Sequence, residues 1–382
     1  MKKLILIIFF FWISLSAIVS FLSPDSQSTL GYISMFFMLL LELFGLGILI
    51  LRLRYFLKRR ICLLILLWVI YILTLVFFTA EELKVDLREV LFWPSIFFLF
   101  YYLFRKDIQG ELLKFFISKI PFLFLILVLI FISSKFLNPV SGSQVSASNV
   151  VFYVALMSPF FFLINNERKK IILFFLGYLC VLISLKRSAL VFYSVILIMF
   201  YYYNYGKISV KNIPKSILVV FISLLFAISG FLFIENQTGN VITERISNIS
   251  QDNGSGRFEI FDIVLDNFLD NKTFEEKFFG SGHDAVRKEG IVLENGIALS
   301  SHNDYLEVLY DYGYIGLFLY VLLIINFFRI SLKVKKVNQH IFYCSISALI
   351  ILVIMSFASH LVIYPSYFAF LVIPWALASA KI

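Results

Sequence analysis

Charge is what this 382-residue chain has least of. Only 15% of its residues are Asp, Glu, Lys or Arg, 61% are hydrophobic and the mean hydropathy is +0.93, which excludes an ordinary soluble domain. Cysteine is almost missing. Cys62, Cys180 and Cys344 each stand inside an apolar run, with no CxxC and no metal-ligand spacing, so neither a disulfide framework nor a zinc site is indicated. No clear small-residue cleavage site follows the apolar stretch behind Lys2-Lys3, and that stretch is long for a signal peptide, so it reads as an uncleaved first helix. Internal repeats are absent, and Glu42 is the one clear acid at mid-span, so the charged midplane of a transporter is missing too. The net charge of +9 is spread over short clusters between apolar runs, which argues for membrane orientation and against nucleic acid as a partner.

What is abundant is aromatic: 46 Phe and 20 Tyr, many near the ends of apolar runs, where amphipathic rings favour the headgroup region. About 20 apolar residues cross roughly 30 Å of hydrocarbon. Twelve candidate runs fall near 4–22, 30–51, 61–79, 89–104, 117–134, 149–165, 170–185, 188–204, 214–234, 305–328, 340–358 and 361–380. The predicted fold class is therefore an all-α integral membrane protein of about twelve transmembrane helices, with one large extracytoplasmic loop containing a short amphipathic helix. This divides the chain into 1–234 (helices one to nine), 235–303 (the loop) and 304–382 (helices ten to twelve).

Basic residues test that layout. With the N-terminus inside, alternate loops carry Arg52, Arg54, Lys58, Arg59 and Arg60, then Arg105, Lys106 and Lys114, then Arg168, Lys169 and Lys170. Lys207, Lys211 and Lys215 follow, then Arg329, Lys333, Lys335 and Lys336, and finally Lys381. The short loops on the other side hold few, so most of the 33 Lys and Arg fall inside and both termini are expected in the cytoplasm. The polar segment from about Glu235 to Ser301 then lies on the extracytoplasmic face, where nucleotide sugars are absent and any reaction must use a substrate already activated.

Chemistry concentrates at the end of that segment, in Ser301-His302-Asn303-Asp304-Tyr305-Leu306, closed by Gly313 and Gly316. A histidine can act as a base near neutral pH, so His302 is the candidate to take a proton from a hydroxyl. Asn303, or one of Asp304, Glu307 and Asp311, which share a helix face at i, i+3 and i+7, can orient it. Upstream, Asp252-Asn253-Gly254-Ser255-Gly256 breaks the chain. Phe258, Phe261, Val264, Leu265 and Phe268 then mark a helix, with Ser255 as candidate cap and Arg257 in its first turn. Such a helix either lies in the membrane interface or packs on the bundle, and both place Arg257 near the membrane surface. The turn Phe279-Gly280-Ser281-Gly282-His283 follows, and a polar stretch runs on to His302.

A second concentration is the tight hairpin Ser184-Leu185-Lys186-Arg187-Ser188-Ala189 on the same side. Two adjacent cations there run against the positive-inside bias, which makes Arg187 a functional candidate, with snorkelling as the alternative. Two guanidiniums and a histidine on one face form a coherent set: Arg187 and Arg257 to hold a diphosphate and His302 to act as base. Glu42 needs a partner or a polar cavity. His283 and His360 fit surface or structural roles better than catalysis, and Pro94, Pro121, Pro159 and Pro374 are expected to start or kink helices.

Taken in order, SLKRSA, SGRFEIFDIVL, FGSGH and SHNDYLEVLYDYGYIG, spread from Asn149 to Gly316, resemble the O-antigen polymerase and O-antigen ligase superfamily of bacterial inner-membrane proteins (the Wzy and WaaL types). The first five helices match it only in hydropathy. The resemblance implies a glycosyltransferase that needs neither metal nor cofactor and takes glycan from an undecaprenyl diphosphate-linked oligosaccharide. Arg187 and Arg257 would be the diphosphate ligands and His302 the general base. Lys186 stands where relatives often carry a neutral residue, and its role stays open. Inversion at the anomeric carbon is implied, and no obvious carboxylate nucleophile appears, although the acids of the tenth helix keep retention open. Implied partners are the lipid-linked donor, an acceptor glycan or glycolipid, the bilayer, and chain-length regulator and flippase proteins. The readings to weigh are a polysaccharide polymerase, preferred on the SHNDYLEVL wording; a ligase onto lipid A core; and, less favoured, a transporter of the lipid-linked glycan.

Overall fold

The computed structural model describes residues 2–22, 28–79, 83–137, 149–184, 186–205, 257–294, 297–358, 361 and 365–382. Among the described residues, ten helices precede the loop: α1 Lys2–Leu22, α2 Thr29–Leu51, α3 Leu53–Phe56, α4 Arg60–Thr79, α5 Leu83–Arg105, α6 Glu111–Leu137, α7 Val150–Leu156, α8 Ser158–Phe161, α9 Glu167–Ser184 and α10 Arg187–Tyr205. The loop supplies α11 Arg257–Asn271, α12 Phe274–Phe279, α13 Ala285–Lys288 and the strands β1 Val292–Glu294 and β2 Ile297–Leu299. Three helices close the chain: α14 Asp304–Lys335, α15 Gln339–Ala358 and α16 Pro365–Lys381.

The chain is an all-α membrane protein with, among the described residues, one small antiparallel hairpin, in which Val292 faces Leu299. By length and composition α1, α2, α4, α5, α6, α14 and α15 can each cross a membrane. Shorter apolar helices cover Val150–Phe161, Ser188–Asn204 and Ser366–Lys381, and α9 opens on Glu167-Arg168-Lys169-Lys170. Eleven of the twelve expected spans thus coincide with helices. The ninth, at 214–234, lies outside the described residues, as do Ser255, His360 and Lys207, Lys211 and Lys215.

Two helices form the centre. Residues 92–101 of α5 and Tyr367–Ala380 of α16 are buried throughout, and a helix apolar on all sides belongs inside a bundle. Trp375 of α16 stacks on Phe327 at 4.0 Å between centroids and donates its indole N–H to the Ser345 carbonyl, 3.1 Å. At the other end Arg105 donates to the Ala380 carbonyl at the C-terminus of α16, 2.9 Å, where the helix dipole favours a cation. Between apolar helices in lipid, close packing replaces the hydrophobic effect. Gly45 shows this: a Cβ there would lie 2.3 Å from the Ser95 carbonyl oxygen, so α2 and α5 meet backbone to backbone.

Of the four prolines expected to start or kink helices, Pro159 starts one, α8, and Pro94, Pro121 and Pro374 sit inside α5, α6 and α16. The run expected to span at 149–165 is instead two short buried helices. Pro159 has no N–H to continue α7, and the Ser158 hydroxyl donates to the Ala155 carbonyl, 2.7 Å.

Candidate functional site

Gly313 interrupts α14 with φ 64°, ψ −169°, a conformation open in practice only to glycine. Its effect on chain direction is large. In a straight helix Tyr305 and Tyr320 would stand about 22 Å apart, yet their rings lie 5.9 Å apart. Ser356 of α15 joins both segments, bonding the Tyr320 hydroxyl at 2.9 Å and donating to Asp304 at 2.9 Å. The segment Asp304–Tyr312 therefore folds back toward the spanning segment.

The bend frees backbone carbonyls, and the FGSGH turn takes them. Ser281 N–H donates to Tyr310 O (3.2 Å) and Gly282 N–H to Asp311 O (2.9 Å). The Tyr71 hydroxyl of α4 lies 2.8 Å from both Phe279 O and Tyr312 O. No side chain fits between: a Cβ on Gly280 would lie 2.2 Å from Asp311 O, and one on Gly313 2.5 Å from Phe278 O. The two glycine motifs are one contact.

The three acids of the folded-back segment are fully buried, and each holds a different part of the chain. Asp304 accepts from Ser356 Oγ and from the Leu361 N–H at 2.9 Å. Glu307 accepts the Ser301 N–H at 2.8 Å and also the Ser301 hydroxyl. Asp311 accepts the N–H groups of Asp284 and Ala285, at 2.7 and 2.8 Å. Sharing one helix face, as expected, they serve as anchors for backbone. Asp311→Ala strips two buried N–H groups of their acceptor, at about 1–3 kcal/mol each. The expected outcome is a lower melting temperature of the purified protein, with Asp311→Asn, which keeps one acceptor oxygen, falling less.

His302 lies between two of these anchors. Ser301 is tied to Glu307, and Asn303 caps α14, its Oδ1 accepting from the Tyr305 and Leu306 N–H groups at 2.9 and 3.3 Å. The chain passes between them with His302 at φ 56°, in the left-handed region that few non-glycine residues occupy. Ser301 and Asn303 are buried, whereas His302 is partly exposed. A fixed backbone thus presents an imidazole at the surface of the loop.

Arg187 and Arg257 each open a helix, α10 and α11. A cation there opposes the positive end of the helix dipole, an end that by itself favours an anion. Arg257 is partly buried, and the side chain of Arg187 lies outside the described residues. Lys186 places its ammonium 5.7 Å from the Phe152 ring, and its N–H donates to Ser184 Oγ at 3.2 Å.

Against known families, residues 171–321 match the model described as O-antigen ligase (Wzy_C). The match covers 151 of the 382 residues and supports the O-antigen polymerase and ligase superfamily that the motifs resemble. Members are glycosyltransferase-like membrane enzymes. Comparison with curated proteins found no match. The matched segment contains Arg187, Arg257 and His302 together.

Within this superfamily domain, two features went unread in the sequence. The first is the set of partners of His283, which is buried and fills the structural one of its two expected roles. Its Nδ1 is 2.6 Å from the Tyr312 hydroxyl and its Nε2 is 3.2 Å from Glu89 of α5, so it ties the loop to the bundle. Beside it Asp284 pairs with Arg287, and burial pushes its carboxyl above the ordinary value, an effect Arg287 partly offsets. The second is the β1–β2 hairpin in the stretch expected only to be polar. Its signal was Asn295-Gly296 between the two strands, a strong short-range hairpin sign. Among the described residues no cluster of three or more His, Cys, Asp or Glu is placed to hold a metal ion.

Proposed function

We propose that the protein transfers a glycan from an undecaprenyl diphosphate-linked donor to an acceptor hydroxyl on the extracytoplasmic face of the bacterial inner membrane. The observation that carries this reading is the coincidence of the superfamily match with Arg187, Arg257 and the rigidly framed His302. His302 takes the proton of the acceptor hydroxyl, whose oxygen attacks the anomeric carbon. The bond from that carbon to the diphosphate oxygen breaks, and the lipid diphosphate leaves with the electron pair, held by Arg187 and Arg257. The anomeric centre inverts. Buried anchoring of Asp304, Glu307 and Asp311 favours this over a carboxylate nucleophile. The working unit is the loop 235–303 together with the Lys186-Arg187 hairpin and the folded-back segment of α14, and both chain ends lie in the cytoplasm.

We favour the polymerase, which joins lipid-linked repeats, over the ligase. The ligase stays as second reading because the matching family model carries that description. A gel profile of surface glycans from a deletion strain separates them. Single repeats on the final acceptor, with the long ladder lost, indicate polymerase. Full-length polymer left on undecaprenyl diphosphate, with a bare acceptor, indicates ligase. An unchanged profile overturns both.

Arg257→Ala removes a charge-assisted pair worth about 1.5–3 kcal/mol, an expected loss of roughly 10–10²-fold in transfer rate. Arg257→Lys keeps the charge but not the forked donors and is expected to fall between alanine and wild type. Initial rates with donor below saturation check both.

A further inference from the structure

The helix α12 carries three neighbouring phenylalanines that the folded loop leaves uncovered: Phe274 is 74% exposed, Phe278 39% and Phe279 51%. Phe274 and Phe278 stand four residues apart on one face, their rings 4.6 Å between centroids. The opposite side is polar and internally satisfied, with Thr273 and Glu276 forming a capping box and Lys272 joining Glu276 to Glu289. Folding of the loop does not need this aromatic face. The loop's own core is made elsewhere, by Val264, Phe268, Ala285, Val286, Val292 and Tyr310.

Two observations say what covers it. The first is continuity with lipid-facing surface. Phe278 packs on Tyr314, 5.6 Å between rings, and Tyr314 begins the exposed row Tyr314, Phe318, Val321, Ile325 and Phe328 along spanning α14. The second is depth. The turn that ends α12 touches α4 twice, through the Tyr71 hydroxyl at Phe279 O and through Thr79 beside Gly282. From Arg60, Tyr71 rises about 16 Å and Thr79 about 28 Å along α4. A hydrocarbon core is roughly 30 Å thick, and any tilt of α4 lowers both residues further. The end of α12 therefore stands no higher than the outer end of a membrane span.

We infer that α12 is seated in the bilayer leaflet on the loop's side, with Phe274, Phe278 and Phe279 among acyl chains and the Glu276 face toward the headgroups. The sequence leaves the preceding helix, with its apolar face at Phe258 to Phe268, either in the interface or packed on the bundle. The structure divides that pattern, burying Val264 and Phe268 in the loop and leaving α12 as the inserted element.

The test uses the full chain in phosphatidylcholine vesicles. All four native tryptophans, Trp12, Trp68, Trp93 and Trp375, are buried, so they give a shielded background. Phe274→Trp adds one reporter at an exposed position. Its emission is expected to be quenched by lipids brominated at shallow acyl positions and unaffected by aqueous iodide, relative to wild type. Quenching by iodide instead places α12 in water and overturns the proposal. Insensitivity to both, which points to a second copy or another protein over the patch, overturns it as well. Phe278→Trp repeats the measurement should Phe274→Trp not fold. The readout needs no donor or acceptor, so its outcome is independent of the proposed glycosyl transfer.

Discussion

Replacing His302 by glycine is expected to abolish transfer while leaving the protein folded. At φ 56° the imidazole sits on a backbone that glycine adopts without cost, so the substitution relieves strain instead of creating it. The anchors on either side, Ser301 on Glu307 and Asn303 on the first turn of α14, do not involve the His302 side chain. What glycine removes is the proton acceptor, and general base catalysis contributes about 10²–10⁴-fold. His302→Asn provides the companion variant, because Asn tolerates the left-handed region and brings hydrogen bonding without basicity. Rates of donor consumption beside thermal melting of the purified proteins check both. An active glycine variant would show that the unusual backbone, and not the imidazole, is what this position supplies.

The second large effect is expected at Gly313, which has no part in the chemistry. Gly313→Ala forces an L-residue into a region that costs about 1–3 kcal/mol, and its methyl would meet Phe278 O at 2.5 Å and Gly280 N at 2.7 Å. The bend must open, and the carbonyls of Tyr310 and Asp311 then lose Ser281 and Gly282. With them goes the backbone frame that presents His302. Low yield, a lower melting temperature and lost activity are expected together. Gly47→Ala is the matched control, since a methyl there meets nothing within 4 Å. Equal melting of the Gly313→Ala and Gly47→Ala proteins would contradict this view of the bend.

How much was legible follows from where the signals live. Spans were readable because a bilayer imposes one requirement, apolar length, and α1, α2, α4 and α15 meet it residue for residue. The Val150–Phe161 break was carried by Pro159, visible as punctuation but not as a break in a span. The site motifs were legible as clusters, since His302, Asn303 and the acids at i, i+3 and i+7 are local. Their partners were not. Glu307 with Ser301 is six residues away, but Asp311 with Asp284, Asp304 with Leu361 and His283 with Glu89 join distant parts of the chain. No local pattern tells an anchoring carboxylate from a catalytic one. Gly280 was read in a turn and Gly313 inside the tenth span at 305–328, and their contact follows from the third dimension alone.

The most direct measurement follows both products of the proposed reaction in sealed vesicles holding the purified protein and an undecaprenyl diphosphate-linked oligosaccharide. Free lipid diphosphate released in step with each new glycosidic bond is the expected result, lost in the His302→Gly protein. Glycan crossing the bilayer with its diphosphate linkage intact, and no bond formed, would contradict it and return the protein to the transporters.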